Sequence, residues 1–325
     1  MNQPEINLQY TTIKSPLPDF IYEGLREFSK NANGYKSQPP ELISRLAKKH
    51  GISEDSIFLT AGADEAIQLF AHAYGQNTFV FTPTYTVYRD VEEFNGTLTR
   101  IFSLEGSNYC IPTDTIIGAS LIYLANPNNP TGYTETDRVM SLVRNNPEAV
   151  VVIDEAYGEF ADLSVIPEVA QNPNMAVIRS FSKAYGMAGN RVGYIVANPQ
   201  IIAVLKNKTQ WCNVSYLSVG AALTALDHEE YFSIMREQMV KERELFMAFL
   251  VGRGYLVFPS KINAVLVKFS AEPQAIAFVE RLRSNFIRVS PGNGSSNIGL
   301  DNTFVRIAIG LPEQMQTVKN IISTF

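Results

Sequence analysis

The stretch Ala176-Val-Ile-Arg-Ser-Phe-Ser-Lys-Ala-Tyr-Gly-Met-Ala-Gly-Asn-Arg-Val-Gly-Tyr194 carries a lysine, two serines and an arginine where an apolar run gives way to glycine-punctuated chain. Lys183, expected at the end of a hydrophobic strand, offers an amine that could condense with an aldehyde. Ser180 and Ser182 offer hydroxyls, and Arg191, eight residues after Lys183, offers charge and a planar fork of donors. Together they could bind a phosphate. A lone Ser-x-Ser-Lys also describes a polar loop, so the chemistry needs partners elsewhere in the chain.

Four further stretches could supply them. Val150-Val-Val-Ile-Asp-Glu-Ala-Tyr157 ends an apolar strand on a carboxylate, Asp154, which is costly to bury unless it meets a positive partner. Ile57-Phe-Leu-Thr60 runs into Ala61-Gly-Ala-Asp-Glu-Ala-Ile67, where a glycine turn opens an amphipathic helix. The free amides of such a start suit a phosphate, and Asp64 and Glu65 equally fit an ordinary first turn. Leu124-Ala-Asn-Pro-Asn-Asn-Pro-Thr-Gly132 forces a turn after a buried strand. Asn302-Thr-Phe-Val-Arg-Ile-Ala-Ile-Gly310 puts Arg306 inside an apolar strand, where a guanidinium either finds an anion or snorkels from an edge. Four apolar residues before Asp-Glu also describe a Walker-B strand. That reading needs a Gly-x-x-x-x-Gly-Lys-Ser/Thr loop, and the chain contains no Gly-Lys dipeptide.

Positioning these residues is the task of an α/β fold. From about Ile57, short runs rich in Val, Ile and Phe alternate with segments of helical period, the pattern of a parallel sheet covered by helices. Strands are expected at Ile57 to Thr60, Thr78 to Thr82, Thr97 to Phe102, Ser120 to Ala125, Val150 to Asp154, Ala176 to Ser180 and Val192 to Ala197. Polar residues gather after their carboxyl ends, the edge at which open α/β sheets bind ligands. After Asn213 come two helices, Leu217 to Leu226 and a charged connector from Glu229 to about Leu250. A smaller α+β unit follows, with strands near Tyr255 to Phe258, Ala264 to Phe269, Phe286 to Val289 and Phe304 to Ile309, and helices Pro273 to Arg283 and Pro312 to Ile322.

The 325 residues are 46% hydrophobic, enough for a large core in one large and one smaller domain. A net charge of −5 without a local Lys/Arg cluster excludes the basic field of a nucleic-acid binder. No stretch reaches the length of a membrane span and no secretory leader is visible, so a cytoplasmic protein acting on small molecules is expected. Cys110 and Cys212 read as two buried thiols. His50, His72 and His228 belong to no metal-ligand motif, so no metal is expected.

Ser-Phe-Ser-Lys183 followed by Arg191 resembles the cofactor signature of the class I/II pyridoxal-phosphate-dependent aminotransferases, and the other stretches occur in that family's order over nearly the whole chain. The resemblance implies an aspartate-aminotransferase-like fold (fold type I) with a mainly parallel central sheet. It divides the chain into an N-terminal segment, 1–36, packing on the small domain and a partner subunit, a large cofactor-binding domain, 37–240, and a small domain, 241–325. It makes Lys183 the Schiff-base anchor of pyridoxal 5'-phosphate and the general acid/base. Ser180, Ser182, Arg191 and the backbone of Ala63 and Asp64 are implied to hold the cofactor phosphate. Tyr85, in Thr82-Pro-Thr-Tyr-Thr-Val-Tyr88, would stack on the ring, Asn129 and Tyr157 would bond its phenolic oxygen, and Asp154 would keep its nitrogen protonated. Arg306 would clamp the substrate carboxylate.

Within the family the chain is most similar to the histidinol-phosphate aminotransferase-like branch, through Asn213-Val-Ser-Tyr-Leu-Ser218, the pair Arg288 and Arg306, and Gly34-Tyr-Lys-Ser-Gln-Pro-Pro40. Arg288 would join Arg306 on the substrate, and Tyr35 would reach the cofactor phosphate of the partner in a homodimer. The branch's Asn-Glu-Asn-Pro element is replaced here by Asn7-Leu-Gln-Tyr-Thr-Thr12. The implied reaction moves an amino group from a histidinol-phosphate-like or aromatic donor to 2-oxoglutarate. A decarboxylase resembling threonine-phosphate decarboxylase and a non-catalytic ligand-binding protein on the same fold are the alternatives.

Overall fold

The structure, a computed structural model, describes residues 5–89, 98–103, 109–294 and 297–325. The chain enters as an extended strap: Ile6–Asn7 pairs in parallel with Ile287–Arg288, and helix α1 (Asp19–Ser29) follows. Among the described residues, seven strands then build the main sheet. They are β1 (Ile57–Thr60), β2 (Thr78–Thr82), β3 (Leu98–Phe102), β4 (Leu121–Ala125), β5 (Val150–Asp154), β6 (Met175–Ser180) and β7 (Gly193–Ala197). Their spatial order is β1-β7-β6-β5-β4-β2-β3, and β7 alone runs antiparallel to its neighbours, β1 and β6. The expected strands are present, except that Thr97 lies outside the described residues.

Both faces of the sheet are covered, which is why its strands read as continuous apolar runs. Val151 and Ile153 of β5 pack in one apolar cluster with Leu124 and Val177, whereas Val152 packs in a second with Tyr123, Ala176 and Ile178. Successive side chains of a strand alternate between faces, so Asp154 and Ser180 share the face of Val152 and Ile178. Helix α2 (Ala63–Tyr74) covers that face through Ala66, Ile67 and Phe70. The two residues therefore emerge at the carboxyl ends of β5 and β6, beneath the start of α2.

Helix α3 (Tyr216–Asp227) receives α1, and α4 (Glu229–Gly252), 24 residues or about 36 Å long, leads to the second sheet. That sheet is antiparallel, with β8 (Leu256–Phe258), β9 (Ala264–Lys268), β10 (Ser290–Pro291) and β11 (Phe304–Ala308) in the order β8-β9-β11-β10. Helices α5 (Glu272–Ser284) and α6 (Pro312–Ile322) pack around it. The strand expected at Phe286 to Val289 is cut to Ile287–Arg288 and pairs with the N-terminal strap instead of the small sheet. Cys110 and Cys212 are half-buried, not buried, and no helix of the described residues is long and apolar enough to cross a membrane.

Candidate active site

The antiparallel β7 sets Thr60, Gly193 and Ser180 abreast across three strands, because Gly193 pairs with both of the others. The start of α2, the turn carrying Lys183 and Arg191 are thereby gathered at one edge of the sheet. Gly62, at φ +84°, turns the chain into α2, and a Cβ there would meet the Arg191 guanidinium at 2.6 Å. Glycine is thus favoured by the left-handed backbone, and the guanidinium lies where a side chain would stand. Arg191 Nη2 donates to Asp64 Oδ2 at 2.9 Å and to Ala61 O at 3.2 Å. Ser180 and Ser182 join hydroxyls at 2.9 Å. A helix start, two hydroxyls and a guanidinium around one point make a phosphate cup.

This cup opens into a cavity of about 250 Å³ that is also lined by Lys183, Asp154, Tyr157, Asn129, Tyr85 and Arg306. Asp154, at 6% exposure, accepts from the Tyr88 hydroxyl at 2.7 Å and from the Ala156 amide at 2.9 Å. Both partners are neutral. Burial raises its carboxyl above the usual value of 3.8, against the pull of those hydrogen bonds and of the Lys183 charge. A carboxylate held this way, facing a cavity, fits a protonated ring nitrogen, which would supply the missing positive charge.

Arg306 is buried on β11, donating to Asn129 Oδ1 at 2.7 Å and to Gln9 O at 2.7 Å. Burial lowers its pKa. Tyr85 donates to Asp64 Oδ1 at 3.1 Å, and Tyr88 meets its ring edge-on at 6.1 Å. Tyr157 shares a hydrogen bond of 2.7 Å with Thr11 Oγ1, which also accepts from Lys183 Nζ at 3.0 Å. The expected substrate residue Arg288 is not in this cavity. Arg288 lies on the strap-pairing strand, exposed, in an ion pair with Glu5 at 2.5 Å. Tyr35 is 80% exposed, its ring against Trp211.

Three residues were not foreseen. Tyr88 stands in the quoted Thr82 to Tyr88 motif, but nothing local signals a bond to a carboxylate 66 positions away. Thr11 lies in the stretch that departs from the branch's pattern. Lys14, held by Tyr10 O and Thr12 Oγ1, is lowered to about 8 by burial and then by the charges of Lys183 and Arg306. Among the described residues no group of His, Cys, Asp or Glu could hold a metal ion.

Residues 7–322 match the model of the family described as Aminotransferase class I and II. The chain belongs to that family. The aminotransferase is 30% identical over 320 residues to histidinol-phosphate aminotransferase 1 of Oceanobacillus iheyensis, a match covering 95% of this chain and 89% of the relative. Its fold superposes on the Sinorhizobium meliloti histidinol-phosphate aminotransferase, solved in complex with pyridoxal 5'-phosphate, with a TM-score of 0.87 at 22% identity, over 99% of this chain and 92% of the other. L-threonine-O-3-phosphate decarboxylase of Porphyromonas gingivalis gives 0.82 at 24% identity, over 98% and 99%. The expected fold type I architecture, transaminase class and pyridoxal 5'-phosphate cofactor of this aminotransferase all hold.

Proposed function

We propose that this aminotransferase moves an amino group between a histidinol-phosphate-like or aromatic donor and 2-oxoglutarate. The observation that carries the reading is the one cavity shared by Lys183, Asp154, Arg306 and the phosphate cup. Ser180, Ser182, Arg191 and the amides of Ala63 and Asp64 would hold the cofactor phosphate. Tyr85 would lie against the ring, Asn129 and Tyr157 would bond its phenolic oxygen, and Asp154 would hold its nitrogen. Bound there, pyridoxal 5'-phosphate supplies an electron-withdrawing ring that no side chain offers.

Lys183 would anchor the cofactor covalently and, when released by the donor's amine, its amine would serve as the general acid/base for the proton at the substrate α-carbon. Arg306 orients the substrate through its carboxylate or phosphate, and the salt bridge of Arg288 to Glu5 would have to open for that residue to join it. The proposal includes a cytoplasmic homodimer in which the exposed Tyr35 reaches the neighbouring cofactor phosphate, and a division of the chain at residues 1–36, 37–240 and 241–325.

An amine-donor screen with 2-oxoglutarate, including histidinol phosphate, aromatic amino acids and aspartate, tests this directly when carbon dioxide is monitored in parallel. Glutamate formed with one of these donors is the expected result. Carbon dioxide released without consumption of 2-oxoglutarate would replace the transaminase with a decarboxylase. Cofactor bound without turnover of any amine would favour a ligand-binding protein.

A further inference from the structure

The N-terminal strap reaches further into the site than its lack of a recognisable motif suggests. It is fastened to the strand Ile287–Arg288 and to β11: Ile6 N donates to Phe286 O at 2.8 Å, Leu8 N to Arg288 O at 2.8 Å, and Ala308 N to Leu8 O at 3.0 Å. Arg306 Nη2 then holds Gln9 O, and Asn263 Nδ2 donates to Thr11 O at 2.9 Å. With its backbone pinned from the small sheet side, Thr11 is 3% exposed and turns its hydroxyl into the cavity. There Oγ1 accepts from Lys183 Nζ at 3.0 Å and shares a proton with Tyr157 OH at 2.7 Å.

A hydroxyl has one proton to give and two lone pairs to receive, so Thr11 can serve both neighbours at once. Its branched Cβ restricts χ1, which keeps Oγ1 in place without further support. The arrangement also matters in energy, since an amine on a four-carbon stem is otherwise free to sample many rotamers.

We infer that Thr11 is a positioning residue for the reaction: its hydroxyl holds the Lys183 amine on the line to Tyr157, both before the cofactor is taken up and whenever the substrate's amine has displaced the lysine. The strap thereby ties the small sheet to the reacting amine, so docking of residues 6–11 and correct placement of Lys183 are one event. This rests on the proposed use of Lys183 and adds a residue to it.

Thr11→Val and Thr11→Ser separate a hydroxyl role from a packing role. Valine keeps the shape and removes the hydroxyl, whereas serine keeps the hydroxyl and removes the methyl. Each protein is mixed, cofactor-free, with pyridoxal 5'-phosphate, and the growth of the visible absorption band is timed; kcat and KM follow on the loaded enzyme. Thr11→Val should slow band formation and lower kcat, each about tenfold, the low end for a hydrogen bond to a charged group, with KM changed less than about twofold. Thr11→Ser should restore both. A valine variant equal to wild type, or a serine variant as slow as valine, overturns the assignment alone. A wild-type protein that forms no visible band overturns it together with the proposed function.

Discussion

Asp154, the last residue of β5, and Glu155, just beyond it, are consecutive carboxylates, both buried, with different surroundings. At Glu155 the protein completes the site itself. Oε2 accepts from Arg179 Nε at 2.9 Å and from Ser164 at 2.8 Å, and Oε1 accepts from the Val165 amide at 2.6 Å. The same arginine meets Glu159 at 2.7 Å. At Asp154 the protein stops short, providing two neutral donors and a cavity. Burial raises both carboxyls. The difference teaches that a buried charge closed by its own chain is architecture, while one left facing space is an invitation to a ligand.

The sharpest way to break the comparison is to empty the open side. Lys183→Ala should abolish the visible band and lower the transamination rate by roughly 10⁴-fold. A variant that kept the band after dialysis would place the anchor elsewhere. On the closed side, Arg179→Met strands the buried Glu155 and the half-buried Glu159 and should cost about 3–5 kcal/mol in denaturant unfolding, leaving the surviving folded enzyme near wild-type rate. Lost activity at unchanged stability would exchange the roles of the two sides.

Asp154→Asn should do the opposite of Arg179→Met. Its kcat/KM should fall about 100-fold, while the cofactor-free protein at neutral pH should be no less stable than wild type. The sign follows from the raised carboxyl. The folded chain binds this proton more tightly than the unfolded one, so the group favours folding below 3.8 and loses that contribution as pH rises through its folded value. Thermal unfolding of the cofactor-free proteins across that range should show a steeper loss for wild type than for Asp154→Asn. The smallest effect expected is from Arg306→Ala, a rise in KM for carboxylate substrates of about tenfold with kcat little changed. Unchanged kinetics would mean that another group holds the carboxylate.

How much of this was legible depended on the range of each interaction. The strand Val150–Asp154 ending on a carboxylate could be read directly, because an apolar run and its boundary are local. Lys183, Asp154, Asn129 and Arg306, far apart in sequence, were brought into one cavity by motifs in a known order. Tyr88 escaped because its bond to Asp154 depends on tertiary packing. The partner of the strand at Phe286 to Val289 was not legible: composition announced a strand, but only the fold shows that residues 287–288 pair with the strap. Thr11 escaped for the same reason, since a threonine in an extended segment has no signature.

The reversal of β7 has a consequence for how this enzyme can vary. Because Ser180 and Gly193 face each other across a closed hairpin, the twelve residues between them form one tethered loop carrying the amine and the guanidinium alike. Lengthening or shortening that loop would displace both together. Divergence of substrate preference should therefore leave the hairpin's length unchanged.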